Sequence, residues 1–298
     1  MDDGSSDESL AIVAALARTD SRFHSHVRTG QKKGANVCRN LGLACCSSEY
    51  VIFLDSDDLL APNCLANRVA AMDQAPRHGY GVFRTEVFAS TPGDRGVLWN
   101  QDTEVPDLYR FLSIDPTWHT SGPIWRREHL QKLFGFDEEL LSFHDWDLHV
   151  RALIARIPYF KSSARDHFYR MGDSHQDALR TISCSSPAHL QSHERLFRKT
   201  VLQLRSAELM SPDIELRLGG MYWWLAMRWL RGSQRNPPQA GRVWKLAFKS
   251  GLVPRRPYIE GAVLLRFLHV RGVGRLATVL QRKWPEALYR SGSPHLHA

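Results

Sequence analysis

A chain of 298 residues, 43% hydrophobic and 23% charged, has room for one large domain or two ordinary ones and the composition of a globular protein, which excludes a disordered chain. Its formal net charge of +8 is unevenly placed: residues 1–185 hold 20 Lys and Arg against 25 Asp and Glu, while residues 186–298 hold 19 against 6, a break that predicts two regions with different partners. The five cysteines (Cys38, Cys45, Cys46, Cys64, Cys184) are odd in number and form no Cys-x-x-Cys, so the reading is reduced thiols in a cytosolic chain, with neither a disulfide framework nor a zinc site. No signal peptide is read at the start, and the longest apolar run, Met221 to Met227, stops at Arg228, too short to span a bilayer.

The chain opens on an acidic turn, Asp2-Asp3-Gly4-Ser5-Ser6-Asp7-Glu8, in which Ser5 and Glu8 have capping-box spacing before a helix with Leu10, Val13, Leu16 and Ala17 on one face. Such a turn ordinarily follows a strand, and here only Met1 precedes it. A short strand is expected near His26-Val27-Arg28, then a helix from Gly34 to Cys46. Tyr50 to Leu54 reads as a short buried strand. It runs into Asp55, Asp57 and Asp58, and Pro62 stands where the next helix can begin. Three acids just past the carboxyl end of a strand, where open α/β sheets bind ligands, repel one another unless a cation neutralises them. A hard divalent metal with phosphate ligands fits; an acidic but inert turn is the alternative.

Beyond the helix of about 62–74, residues 80–90 read as one or two strands and 91–104 as a loop. A short helix near 106–112 leads to Thr117-Trp118-His119-Thr120-Ser121-Gly122, then a strand over 123–126 and another short helix. A further helix is expected from Asp145 to Arg156. Asp145 and Asp147 at its amino end suit either simple capping or a general base. A metal cluster of His144, Asp145, Asp147 and His149 is disfavoured, because neighbouring helical residues point in different directions. The alternation of strands and helices predicts an α/β domain with a largely parallel sheet.

Five stretches, in order over roughly residues 1–175, together resemble the family 2 glycosyltransferases: the opening acidic turn, Cys38-Arg39-Asn40-Leu41-Gly42, Leu54-Asp55-Ser56-Asp57-Asp58 as an Asp-x-Asp motif, Phe134-Gly135-Phe136-Asp137-Glu138 followed by His144-Asp145-Trp146-Asp147, and Tyr169-Arg170. The resemblance implies the A-type glycosyltransferase fold and an inverting, metal-dependent transfer of a sugar from a nucleotide-sugar donor to a glycan or lipid-linked acceptor, in cell-envelope polysaccharide synthesis. It implies that Asp3 binds the nucleotide base, that Asp55 lies near the ribose, and that Asp57, with Asp55, holds Mn²⁺ or Mg²⁺. Asp145 becomes the base, and Arg39 and Asn40 brace the nucleotide-sugar site. Arg126 and Arg127 are read as exposed charges, with a position facing the acceptor as the alternative.

Two departures stand out. The family's first strand and helix are missing before Asp2, which points to a misplaced start or a truncation and keeps a non-catalytic binding or scaffold protein open as the alternative. A phosphate-processing enzyme on the same acidic loop is a further rival. His144 stands where the family commonly has Glu, and the family's later metal-binding His is not placed: His167 and His175 flank Tyr169-Arg170, and both read as surface residues.

The expected division is a catalytic domain over 1–185 and a basic helical region over 186–298. In the second, Met221 to Leu230 is apolar on nearly all sides and reads as buried, and Pro237-Pro238 reads as a chain break. Val243 to Leu252 and Ile259 to Val270 are basic and amphipathic, which suits an anionic membrane surface or a solvated face. The region holds no nucleic-acid motif, so nucleic acid is not an expected partner. The implied location is cytoplasmic, with a peripheral position at the inner face of the cell membrane open.

Overall fold

The computed structural model describes residues 1–171, 186–230, 235–267 and 284. The expected domain boundary at 185, together with His175 and Cys184, lies outside them. The elements in order are α1 (Ser9–Thr19), α2 (Ala35–Cys45), β1 (Tyr50–Val51), β2 (Leu59–Leu60), α3 (Cys64–Asp73), β3 (Tyr80–Phe88), β4 (Val97–Leu98), α4 (Asp107–Leu112), β5 (Pro123–Arg126), α5 (Arg127–Lys132), α6 (His144–Ile154), β6 (Tyr159–Arg170), α7 (Pro187–Ser206), α8 (Pro212–Arg228), α9 (Pro237–Lys249) and α10 (Arg255–Phe267). The expected strand near residue 27 is a single parallel bridge between Asp2 and Val27.

The sheet runs β1-β5-β3-β6-β2, with β4 continuing the β5 edge of β3. It is mixed, and the expectation of a largely parallel sheet is corrected. Within it only β3 and β6 pair in parallel; β1/β5, β5/β3, β4/β3 and β2/β6 are all antiparallel. The reason is the excursion over residues 89–122. It returns to β3 partway along, with Pro123 opposite Val82, so β5 can only run back toward Tyr80. The register is fixed by aromatic stacking across three strands. Tyr80 lies between its cross-strand partners Trp125 (4.2 Å between ring centres) and Tyr159 (4.9 Å). On the opposite sheet face Gly81 admits the Phe160 ring, which would lie 2.4 Å from an added Cβ.

Helix starts follow capping chemistry. Ser186, Ser211 and Asn236 each accept a backbone N–H three residues on, and each is followed by proline at the first helical position. Pro237 therefore opens α9 instead of interrupting the chain. The Ser5–Glu8 capping box does not form: Asp7 accepts the Ser9 N–H, and Ser5 donates to Asp2. Helix α1 buries no residue; Leu10 and Val13 of its expected apolar face, together with Ile12, line a wide cleft.

Helices α7 to α10 share one hydrophobic core with the sheet, in which Trp146 of α6, Phe197 of α7 and Leu225 of α8 are buried. The 141–143 turn before α6 is gripped by α7. Leu141 N–H donates to Ser192 Oγ (3.2 Å), Ser142 Oγ lies 2.7 Å from His193 Nε2, and Phe143 stacks on the His193 ring at 4.6 Å. Burial pushes the His193 imidazole down to about 3. An unfolded imidazole titrates near 6.5, so the folded state resists protonation. The stability this group gives is full above that value and is lost as pH falls from there toward 3. Between pH 7 and 5 the loss is about 2 kcal/mol. His193→Gln removes this dependence, so denaturant titrations are expected to show the gap between wild type and variant shrinking by about that amount at pH 5.

Candidate active site

The chain leaves β1 and turns back on itself, with the Asp58 N–H donating to the Asp55 carbonyl at 3.1 Å. This turn splits the three acids. Asp55 and Asp57 line an open cleft of about 1260 Å³, whose wall also includes Asp3, Arg39 and His144. The Asp58 side chain points inward and is fully buried.

On the α2 side, Asp3 accepts the Gly34 N–H (3.0 Å) and pairs with Arg28, and the Arg28 hydrogen bond holds its carboxyl below the usual range. Arg39 reaches in two directions. It donates to Asp55, and its Nη1 lies 3.2 Å from His144 Nδ1, while its guanidinium packs over the Phe136 ring. Burial lowers the His144 pKa, so the neutral ring accepts from Arg39 and ties the start of α6 to the acidic loop. Asn40 is engaged elsewhere: it donates to the Phe136 carbonyl and Glu138 (both 2.9 Å) and accepts the Phe136 N–H (2.8 Å). It braces the 135–138 turn, where Gly135 adopts φ 63° and an added Cβ would meet Asn40 Oδ1 at 2.4 Å.

At the start of α6 Phe143 occupies the left-handed region (φ 61°). The four polar residues that follow diverge, as helical geometry requires. Asp145 accepts from Thr120 Oγ1 (2.9 Å); Asp147 turns to Arg151 and Lys199 (2.8 Å each); His149 is buried and stacks parallel to Trp125. They form no metal cluster. Burial alone would raise the Asp145 pKa. The charge of Arg39, with that of His144, His149 and His119 in their protonated forms, opposes this and holds the carboxyl below the usual carboxylate range, so it is ionised at neutral pH.

Beneath the acidic loop lies a buried cluster of Asp58, His119 and His167, whose ligand-type atoms lie within 4.8 Å of one another. His167 Nε2 is 3.0 Å from Asp58 Oδ2 and its Nδ1 is 3.1 Å from Thr85 Oγ1. Burial lowers His167 to about 3, which keeps the ring neutral: Thr85 donates to Nδ1 and Nε2–H donates to Asp58. Burial likewise raises the Asp58 carboxyl to about 6, against the pull of His119 and the Arg170 N–H. His119 bridges the two halves of the loop, with Nε2 3.9 Å from Asp55 and Nδ1 3.7 Å from Asp58. Its pKa is lowered by burial and by His167.

Residues 1–134 match the family described as Glycosyl transferase family 2. Over these residues the chain resembles the family 2 glycosyltransferases. The matched span holds Asp3, Arg39, Asn40 and the acidic loop, and ends before Asp145. Over 80 residues the chain is 34% identical to the GalNAc(5)-diNAcBac-PP-undecaprenol beta-1,3-glucosyltransferase of Campylobacter jejuni, covering 27% of this chain and 26% of that protein. Over 74 residues it is 35% identical to an uncharacterized glycosyltransferase of Haemophilus influenzae, covering 25% and 29%. It thus spans about a quarter of the length of these curated relatives. The fold is similar to that of S. aureus TarS 1-349, with a TM-score of 0.55, 17% identity, and coverage of 93% of this chain and 79% of that one; a UDP complex of the same protein matches equally well. The chain therefore has the expected A-type glycosyltransferase fold.

Asp3, Arg39, Asp55 and Asp57 converge on one cleft whose wall includes His144, the chain neighbour of Asp145. Three readings change. His167 is fully buried in the Asp58 cluster, where it was expected at the surface. Arg126 is likewise tied down: it donates to the carbonyls of His78 (3.0 Å) and Met72 (3.1 Å), pairs with Glu49 and lies over Tyr50, because the β1/β5 register places it against Tyr50. Arg127, expected to be exposed, is half-buried and reaches the Ser48 carbonyl. The residues missed were Asp58, His119 and Thr120. Asp58 was visible as the third acid of the loop; nothing in the sequence marked the other two.

Proposed function

We propose that the chain transfers a sugar, with inversion, from a nucleotide-sugar donor to a lipid-linked or glycan acceptor. The observation that carries this reading is the convergence of Asp3, Arg39, Asp55 and Asp57 on one cleft whose wall includes His144, the chain neighbour of an ionised Asp145 that Thr120 holds. The lipid-linked class is favoured by the Campylobacter jejuni relative, a glucosyltransferase named for an undecaprenol-linked glycan.

Asp3 would receive the base of the nucleotide, and the Asp55–Arg39–His144 chain would fix the loop against α6. Asp145 takes the proton of the acceptor hydroxyl as that oxygen attacks the anomeric carbon; the bond from that carbon to the diphosphate oxygen breaks, and the nucleoside diphosphate leaves. A divalent metal fits the loop: Asp57 and Asp55 present hard oxygen donors to the cleft, while Asp58 and His167 satisfy one another's hydrogen bonds below it. Asp57, with Asp55, would hold Mn²⁺ or Mg²⁺, which supplies charge neutralisation for the leaving diphosphate. The buried cluster then serves to orient Asp55 through His119.

The test is nucleoside diphosphate release from a panel of nucleotide sugars, with and without polyprenyl-linked acceptors. Release that depends on acceptor and is abolished by EDTA supports the reading; donor hydrolysis without product on any acceptor would replace it with a phosphate-processing enzyme. Asp57→Asn is expected to raise the metal concentration needed for half-maximal rate by tenfold or more, the order seen when a metal site loses a supporting group.

A further inference from the structure

We infer that the outer face of α10 is a docking surface for an anionic phospholipid bilayer, on which the helix lies in the plane of the membrane. At 100° per residue, Arg255, Arg266, Ile259, Val263, Arg256 and Phe267 fall within an arc of roughly 120°. All six are exposed, and Ile259, Val263 and Phe267 are 50%, 50% and 52% exposed at i, i+4 and i+8. The opposite side, Pro257, Gly261, Leu264 and Leu265, is buried. There Gly261 lets the helix close on Trp244, whose Nε1 would lie 2.6 Å from an added Cβ. The helix is therefore anchored on one face and carries a row of apolar side chains among arginines on the other.

A soluble partner surface and a bilayer differ in what they ask of such a face. A row of three aliphatic or aromatic side chains flanked by long cations suits the boundary between acyl chains and anionic headgroups, where arginine stems lie along apolar surface and the guanidinium reaches phosphate. The charge of the surrounding region agrees: residues 186–298 hold 19 Lys and Arg against 6 Asp and Glu. Of the face's three arginines only Arg256 is paired within the helix, to Glu260 at 3.0 Å. No helix among the described residues is long and apolar enough to cross a membrane, so α10 is suited to lying on the bilayer and not to spanning it. The inference does not depend on the proposed transfer reaction, and its test needs no activity.

The full chain is floated with vesicles of phosphatidylcholine alone and with roughly 30 mol % phosphatidylserine added. Flotation is expected with the anionic vesicles only and should weaken as salt rises. The pair Ile259→Asn/Val263→Asn, and separately Arg255→Gln/Arg256→Gln/Arg266→Gln, should each lower the bound fraction tenfold or more. All of these side chains are exposed, so unchanged thermal unfolding confirms that the fold is kept. Absence of flotation, or flotation that both variants retain, overturns the proposal. So does a concentration-dependent dimer that Ile259→Asn/Val263→Asn breaks, which would assign the face to a second copy, or binding to duplex DNA in place of vesicles.

Discussion

Asp145→Asn is expected to lower the rate of sugar transfer by roughly 10²–10⁴-fold, the span that a positioned general base supplies, while leaving the affinity for nucleotide unchanged. The geometry favours a clean separation of the two effects. Thr120 Oγ1 donates to Asp145 Oδ2 at 2.9 Å and can donate to the amide oxygen of Asn in the same place. The amide cannot take up the proton that the acceptor hydroxyl must lose. Nucleotide contacts are expected from Asp3 and the acidic loop on the other side of Arg39, so calorimetry with a nucleoside diphosphate should give the same Kd for both proteins. Unchanged transfer would remove Asp145 from the mechanism. A lost Kd would mean that it holds the cleft together through its neighbours His144 and Arg39.

Part of this site was readable in the sequence because its parts are local. The acidic loop, the Arg39-Asn40 pair on α2 and the acids opening α6 each lie within a few residues and have characteristic spacing. What was not readable is what lies under them. The buried cluster takes Asp58, His119 and His167 from three segments more than 40 residues apart, and no local pattern announces that such residues meet. Strand β6 was passed over for a related reason: its middle, Lys161 to Asp166, is polar and without period, and it is held by pairing to β3 through two register shifts. Sheet direction also depends on where a connection returns, and that is set by the Tyr80, Trp125 and Tyr159 stack, whose members are widely separated in sequence. Arg126 shows the limit most directly. Beside Arg127 it looks like surface charge, and only the β1/β5 pairing brings it against Tyr50 and Glu49.

Arg68→Met is expected to destabilise the fold by about 3 to 5 kcal/mol, the usual result when one partner of a buried ion pair is removed. From the sequence Arg68 is one more polar residue in a short helix. In the structure it is fully buried, donates to both oxygens of Asp166 (2.9 and 2.6 Å) and to the Ser121 carbonyl (2.8 Å), and lies over the Phe83 ring at 4.8 Å. Those partners flank the site: Asp166 precedes His167 of the buried cluster, and Ser121 follows the Thr120 that holds Asp145. Methionine fills a similar volume and leaves the Asp166 carboxylate buried without its cation, so thermal unfolding should move down on the order of 10 °C. Arg68→Lys should recover only part of this, because one ammonium cannot serve both carboxylate oxygens and the carbonyl in their fixed directions. The decisive comparison is Arg68→Met with Asp166→Leu. If the cost lies in the orphaned carboxylate, the double variant regains most of the stability and keeps only the loss from the unpaired Ser121 carbonyl, about 1 to 3 kcal/mol. If the double variant is as unstable as Arg68→Met alone, the contribution of Arg68 comes from its packing against Phe83 and Ser121, and the ion pair is incidental.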